Sequence, residues 1–303
     1  MNELLILFSN NILPIFLAAS GGFLIGKYLQ VSPRPISQTA FYIFSPCLIF
    51  SLLTTSQLSG ADITRMVGFT IVSVLAVGGL TWLLGKLLRF ERRLLAAVLL
   101  TSMFNNSGNY GLSLNLFAFG ETALAYASLY FVTMAVLVYS VGVVIASLGT
   151  SSIKDSLAGL LKVPALYAVV LALLFDALEL QLPLFLDRTV SLLGDAAIPV
   201  LMVLMGIQLG HAQWEGQTLA LTLSNVMRLV AAPAIALALG AVFGLQGFAR
   251  QAGIIESATP TAVVTTVLAT EYNVEPSFVS TVVFVSTLIS PVTVTPLLAY
   301  LGA

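Results

Sequence analysis

The chain has 303 residues, 58% of them hydrophobic and 8% charged, with a formal net charge of −1. Soluble domains carry about 25% charged residues, so this chain has too little polar surface to face water all round, and disorder is excluded on the same ground. Twelve Lys and Arg against thirteen Asp and Glu leave no cationic field for nucleic acid, and one cysteine excludes an internal disulfide or a multi-thiolate metal site.

A hydrocarbon core of roughly 30 Å takes about 20 apolar residues per helix. Ten stretches meet that requirement: 4–26, 36–56, 63–87, 94–117, 122–147, 157–178, 188–210, 217–243, 250–270 and 277–300. Barrel strands are about ten residues long with an alternating pattern, so continuous runs of this length are read as helices. The first residues lack a basic segment and a small-residue cleavage site, and are read as the start of the first helix rather than a signal peptide. Connections after odd-numbered stretches carry eight basic residues: Lys27, Arg34, Lys86, Arg89, Arg92, Arg93, Lys154 and Lys162. The opposite side carries three, Arg65, Arg188 and Arg250. Positive charge stays in the cytoplasm, which places both termini outside a cytoplasmic (inner) membrane.

In chain order, the first stretch contains Gly22 and Gly26 at a spacing that suits close helix contact. Pro46 in the second marks a kink, and the neighbouring Cys47 is read as packing. The fourth reads LLTSMFNNSGNYGLSLNLFAF, with Asn105, Asn106, Ser107, Gly108, Asn109, Tyr110 and Gly111 in its middle. Asparagine and glycine are weak helix formers, and lipid leaves amide groups without partners. Such a segment must face protein or a watery cavity. Asn105 and Asn106 each share a helix face with Asn109, and unwinding near Gly108 would add backbone N–H groups suited to an anion. The competing reading is a small-residue crossing with interhelical amide bonds.

The seventh stretch holds Asp195, placed toward an outer vestibule, then Pro199 and, at its end, His211. Arg228 lies in the middle of the eighth, where an arginine faces a cavity or a partner. The ninth reads AGIIESATPTAVVTTVLA. Pro260 removes one helical donor and releases the carbonyl of Glu256, with Ser257, Thr259 and Thr261 beside it. Glu256 is an ionisable group inside an apolar run, read either as a proton carrier or as a static ion pair with Arg228. Pro291 and Pro296 mark kinks in the last stretch, whose serines and threonines suit interhelical packing.

Pro46 and Pro199 align at an offset of 153 residues, and the same offset takes Asn106 to Thr259 beside Pro260. Each half, 1–150 and 151–303, holds five stretches, an odd number. The second copy therefore enters the membrane upside down. The expected fold is an all-α membrane protein of ten transmembrane helices, an inverted repeat of five plus five with crossed, broken helices 4 and 9.

The stretches FNNSGNYG at 104–111, GDAAIPVLMVLMG at 194–206 and ESATPTAVVTTVLATEY at 256–272 make the chain similar to the auxin efflux carrier family. That family includes bacterial malate permeases and plant auxin exporters. The resemblance implies a scaffold of helices 1, 2, 6 and 7, a transport domain of helices 3–5 and 8–10, and a carboxylate bound where helices 4 and 9 cross. Asn105, Asn109, Gly111 and Pro260 match the family's crossover positions. A homodimer is implied by the plant members, whose long cytoplasmic loop is absent here. A fold neighbour is the bile acid–sodium symporter family.

The expected function is elevator-like secondary transport of a small organic anion such as a carboxylic acid. Asn105, Asn106, Ser107, Asn109, Tyr110, Gly111, Thr259, Pro260 and Thr261 would form the substrate site, and Glu256, Arg228 and Asp195 the coupling or ion-pair groups. No cofactor is expected beyond a coupling H+ or Na+. Moving one charge costs about 2.3 kcal/mol per 100 mV, so an inside-negative membrane favours anion export without a coupled ion. Alternatives are an ion-coupled symporter and a membrane anion sensor that moves nothing. Neither a metal cluster nor a nucleophile–base constellation points to an enzyme.

Overall fold

The computed structural model describes residues 2–55, 58–147, 163–211 and 217–303, and every regular element among them is a helix. Seven of these helices are long and apolar enough to cross a membrane. They are α1 (Glu3–Tyr28), α2 (Pro33–Thr55), α3 (Gly60–Leu87), α5 (Ser107–Ala146), α7 (Leu184–Gly210), α8 (Thr218–Val242) and α11 (Pro276–Leu301). Shorter pieces complete the chain: α4 (Arg92–Met103), α6 (Pro164–Ala177), α9 (Gly247–Ala258) and α10 (Val264–Glu271). Lys154, Lys162, Asp155, the connection from Gly149 to Leu157 and the boundary at 150/151 lie outside the described residues.

The difference between ten stretches and seven long helices has local causes. The fourth stretch is split between Met103 and Ser107, and its second part runs into the fifth within α5. Gly120 interrupts α5 with φ 80° and ψ −170°, a conformation essentially restricted to glycine. The ninth stretch is split between Ala258 and Val264. The sixth is described only from Pro164.

Helix entries and bends follow the sequence. Ser59 caps α3 reciprocally: its Oγ accepts from the Asp62 N–H at 3.2 Å, and the Asp62 carboxylate accepts from the Ser59 N–H at 3.3 Å. Wider π-turns at 8–12, 40–44 and 227–231 each end two residues before a proline, Pro14, Pro46 and Pro233. A proline lacks the N–H that would close the regular ladder, so the helix accommodates it by a local bulge.

Packing sorts the helices into two groups. In one, α1 lies on α7, and α2 lies on α6 and α7; in the other, α3, α4, α5, α8, α9, α10 and α11 pack among themselves. The α1–α7 crossing is a backbone-to-backbone approach. A Cβ at Gly22 would strike the Val203 carbonyl, and one at Gly206 the Ala19 carbonyl. The Gly22/Gly26 spacing thus serves a crossing inside the chain. The groups meet where α1 lies against α5 and α11, where α2 lies against α5, and where the second part of α7 lies on the first turn of α5. Large apolar side chains such as Leu17, Leu83, Leu174 and Val292 are exposed on the outside, while asparagines, threonines and serines are buried within. That inversion is what a lipid-facing bundle requires.

Candidate functional site

Two helices stop inside the bundle, and their ends pair with each other. After α4 the chain turns extended at Phe104 (φ −97°, ψ 111°), and after α9 at Thr259 (φ −67°, ψ 153°). Asn105 and Thr261 form an antiparallel bridge. The Asn106 N–H donates to the Pro260 carbonyl at 2.7 Å, and the Ala262 N–H to the Phe104 carbonyl at 2.9 Å.

A helix end leaves four carbonyls without intrahelical partners, and in an apolar bundle each must find a donor. For α4 the accounting closes, with the Leu100 carbonyl accepting from the Phe104 N–H at 3.3 Å. The Thr101 carbonyl accepts from Thr261 Oγ1 at 2.8 Å, and those of Ser102 and Met103 from Arg228 Nη1 at 3.0 and 3.1 Å. On α9, the Glu256 carbonyl released by Pro260 accepts from Asn105 Nδ2 at 2.5 Å and Thr259 Oγ1 at 2.8 Å, and the Ser257 carbonyl accepts from Arg228 Nη2. The breaks satisfy each other through Thr261 and Asn105, and Arg228 of α8 satisfies further carbonyls of both, which is why they lie side by side.

Arg228 therefore directs its Nη groups at helix-end carbonyls, makes no ion pair with Glu256 among the described residues, and keeps Nε unpartnered among them. It sits in the π-turn of α8, buried, with its guanidinium across the C-terminal ends of α4 and α9. Helix C-termini carry about −0.5 charge each, so two ends balance one guanidinium. The reading of a Glu256–Arg228 clamp gives way to this backbone clamp.

Glu256 points the other way, against α5. Its Oε1 accepts from Asn115 Nδ2 at 3.2 Å, while Oε2 has no hydrogen-bond partner among the described residues. The carboxylate lies so close to Gly111 that a Cβ there would overlap it. Gly111 is thus fixed as glycine by close approach rather than by a turn. Asp195 does not join this cluster: it is exposed, the last residue of the first part of α7.

The remaining expected residues divide. Asn105 is buried, donating from Nδ2 to the Glu256 carbonyl and to Thr259 Oγ1 at 2.8 Å. The Asn106 side chain is buried with Nδ2 unpartnered among the described residues. Ser107 opens α5, its N–H bonded to the Asn105 carbonyl at 2.9 Å. Asn109 is half-buried and faces the other helix group, donating from Nδ2 to Gln208 Oε1 at 3.2 Å. Tyr110 is buried, its hydroxyl accepting from Ser290 Oγ at 3.2 Å and its ring edge-on to Phe16. The Thr261 N–H donates to Ser286 Oγ at 3.1 Å. The break falls at 104–106 rather than near Gly108, so Asn105 and Asn109 do not share a face. Gly108 packs on Phe131 within α5's first turn.

Four participants escaped the sequence reading: Asn115, Tyr130, Gln208 and Ser286. Tyr130 lies within hydrogen-bond reach of Ser257 Oγ at 3.3 Å. The signal for Asn115 and Gln208 was available, since each is an amide inside an apolar run. Beside Gln208 a cavity of about 220 Å³ opens between α7, α10 and α11, lined by Gln208, His211, Thr266, Thr270, Ser280 and Val283 among others. His211 caps the end of α7 there.

The fold and the site define a multi-pass helical membrane protein whose two helix breaks pair with each other inside the bundle. The chain belongs to the membrane transport protein family that contains the auxin efflux carriers, matching it over residues 7–156 and 150–298. It is 27% identical over 267 residues to an uncharacterized transporter of Methanocaldococcus jannaschii, covering 84% of this chain and 85% of the other. A second uncharacterized transporter, from Methanothermobacter thermautotrophicus, is 23% identical over 84% of each chain. Auxin efflux carrier component 3a of Oryza sativa subsp. japonica is 29% identical over 141 residues, 44% of this chain and 23% of the plant protein.

Proposed function

We propose that the protein is a secondary transporter that moves a small carboxylate across the cytoplasmic membrane by an elevator-like exchange of its two helix groups. The observation that carries this reading is the pair of helix breaks with a buried, unpartnered amide donor, Asn106 Nδ2, at the start of α5. The first N–H groups of a helix lack intrahelical acceptors and carry positive partial charge. Amide donors added to that end suit an anionic group better than a cation.

Ten crossings follow if α4 with the first part of α5, and α9 with α10, each count as one broken helix. The two breaks then stand in corresponding places of two inverted halves. In this reading α1, α2, α6 and α7 form a static scaffold, and the other group carries the site. The 220 Å³ cavity at their boundary gives access from the side of the odd-numbered connections, since Pro33, His211 and Pro276 line its rim. Drug-sized ligands occupy roughly 300–1,000 Å³, so a substrate of few carbon atoms fits better. Some relatives are named auxin efflux carriers, which supports export of an organic anion.

The test is flux of radiolabelled small carboxylates in vesicles reconstituted with purified protein. Asn109→Ala should remove flux while leaving the melting profile unchanged, because the side chain is half-buried and holds one cross-group hydrogen bond. Wild-type flux in that variant defeats the site assignment. Carboxylate binding without accumulation or counterflow in the wild type defeats transport itself.

A further inference from the structure

Arg228 and Glu256 are the two charged side chains that are buried among the described residues. The positive one faces two helix ends through its Nη groups, as above, with only Nε left without a partner among the described residues. The negative one is not. Helix α5 points its N-terminal end toward the site, but dipole stabilisation falls off within the first turn, and Gly111 and Asn115 lie one and two turns in. Asn115 Nδ2 gives Glu256 Oε1 one hydrogen bond and also donates to the Gly111 carbonyl at 2.9 Å. Two oxygens that face this contact, Glu256 Oε2 and Asn115 Oδ1, remain without donors among the described residues. A buried carboxylate with an orphaned oxygen is stable only if something neutralises it.

The size of the contact selects the neutralising species. Glu256 packs so tightly on the Gly111 backbone that a methyl group has no room. A metal cation needs several oxygen ligands and its own volume, whereas a proton needs one oxygen and none. The other ionisable groups around the carboxylate are few. Tyr130 of α5 lies near both Glu256 and Arg228. Elsewhere α5 carries Tyr110, Glu121, Tyr126 and Tyr139, α9 has Arg250 near its start, α11 has only Tyr300 near its end, α3 has Asp62, Arg65 and Lys86 toward its ends, and α4 has Arg92 and Arg93 at its far end.

We propose that Glu256, held by Asn115 against Gly111, is a proton-loading site that travels with the substrate site. This rests on the transport reading above. In the step, Glu256 Oε2 takes one proton from water on one side, forming a neutral carboxylic acid, and returns it to water on the other. The same residue's carbonyl is gripped by Asn105 and Thr259 at the crossing, so loading is mechanically tied to the two breaks. One proton moving with one monocarboxylate makes transport electroneutral. The substrate class is therefore a carboxylate carried together with a proton.

Two measurements test this separately from transport itself. Infrared difference titration of purified protein should show a protonated-carboxyl band that is absent in Glu256→Gln, an isosteric change that keeps the Asn115 contact. In reconstituted vesicles, wild-type monocarboxylate flux should follow an imposed pH gradient and ignore an imposed potential; Glu256→Gln should lose the pH-driven component and become responsive to potential. Wild type lacking that band overturns the proposal, whether or not any anion is transported. So does flux in the wild type that follows a sodium gradient or potential and not a pH gradient, while leaving the transport reading standing.

Discussion

Replacing Arg228 by methionine tests the account of how the two breaks are held. The side chain has similar length and no charge, so the packing volume in α8 is largely kept. Three carbonyls, those of Ser102, Met103 and Ser257, lose their donors. Leaving a buried acceptor unsatisfied costs about 1–3 kcal/mol. Against this stands relief from burying a guanidinium, several kcal/mol by itself. The loss is confined to the breaks and the relief is partial, because the wild-type charge faces two negative helix ends. We expect a net local cost of about 3 kcal/mol, which is roughly 100-fold in the opening equilibrium. Native-state hydrogen exchange in nanodiscs reads it directly. The Asn106 and Ala262 amides, which bond across the crossing, should exchange faster by that factor, with amides of α1 and α7 unaffected. Arg228→Lys should fall between, since a point charge cannot bridge two separated helix ends as a planar fork does. If Asn106 and Ala262 in Arg228→Met exchange as slowly as in the wild type, the guanidinium is not what holds the breaks.

Two packing predictions follow from the glycines. Gly111→Ala forces a methyl group onto the Glu256 carboxylate and should destabilise the fold by about 1–3 kcal/mol in denaturant unfolding. In a Glu256→Ala background the same change should cost almost nothing, and an undiminished cost there would assign the strain elsewhere. Gly22→Ala should disrupt the α1–α7 crossing, because its Cβ meets the immobile Val203 carbonyl, whereas Gly21→Ala has nothing within 4 Å and should be tolerated. Equal effects at the two neighbours, measured by unfolding in mixed micelles, would remove the backbone approach as the cause.

Much of this site was legible in the sequence because lipid permits few exceptions. A run such as FNNSGNYG inside an apolar stretch has no stable helical, lipid-facing form, and Pro260 removes a donor wherever it stands. Both breaks, and the buried Glu256 and Arg228, could therefore be named without a structure. Their partners could not. From the sequence Arg228 suits an acidic partner, Glu256 or Asp195, better than a ligand, since charges inside apolar runs tend to pair. Which one it meets depends on the rotation of α8 about its axis, and a π-turn at 227–231 sets that rotation. Asn105 and Asn109 seemed to share a face only while the segment was read as helix, and the extended backbone at Phe104 turns them toward different neighbours.

The sequence by itself determined that this is a helical membrane protein with two polar interruptions, because hydropathy and backbone hydrogen bonding are local requirements. The tertiary structure alone decided that the interruptions satisfy each other, that Arg228 belongs to helix ends, and that Gly111 and Asn115 enclose Glu256. Most of those are contacts between residues more than a hundred positions apart, and all are fixed by helix rotation and close backbone approach, which no local pattern encodes.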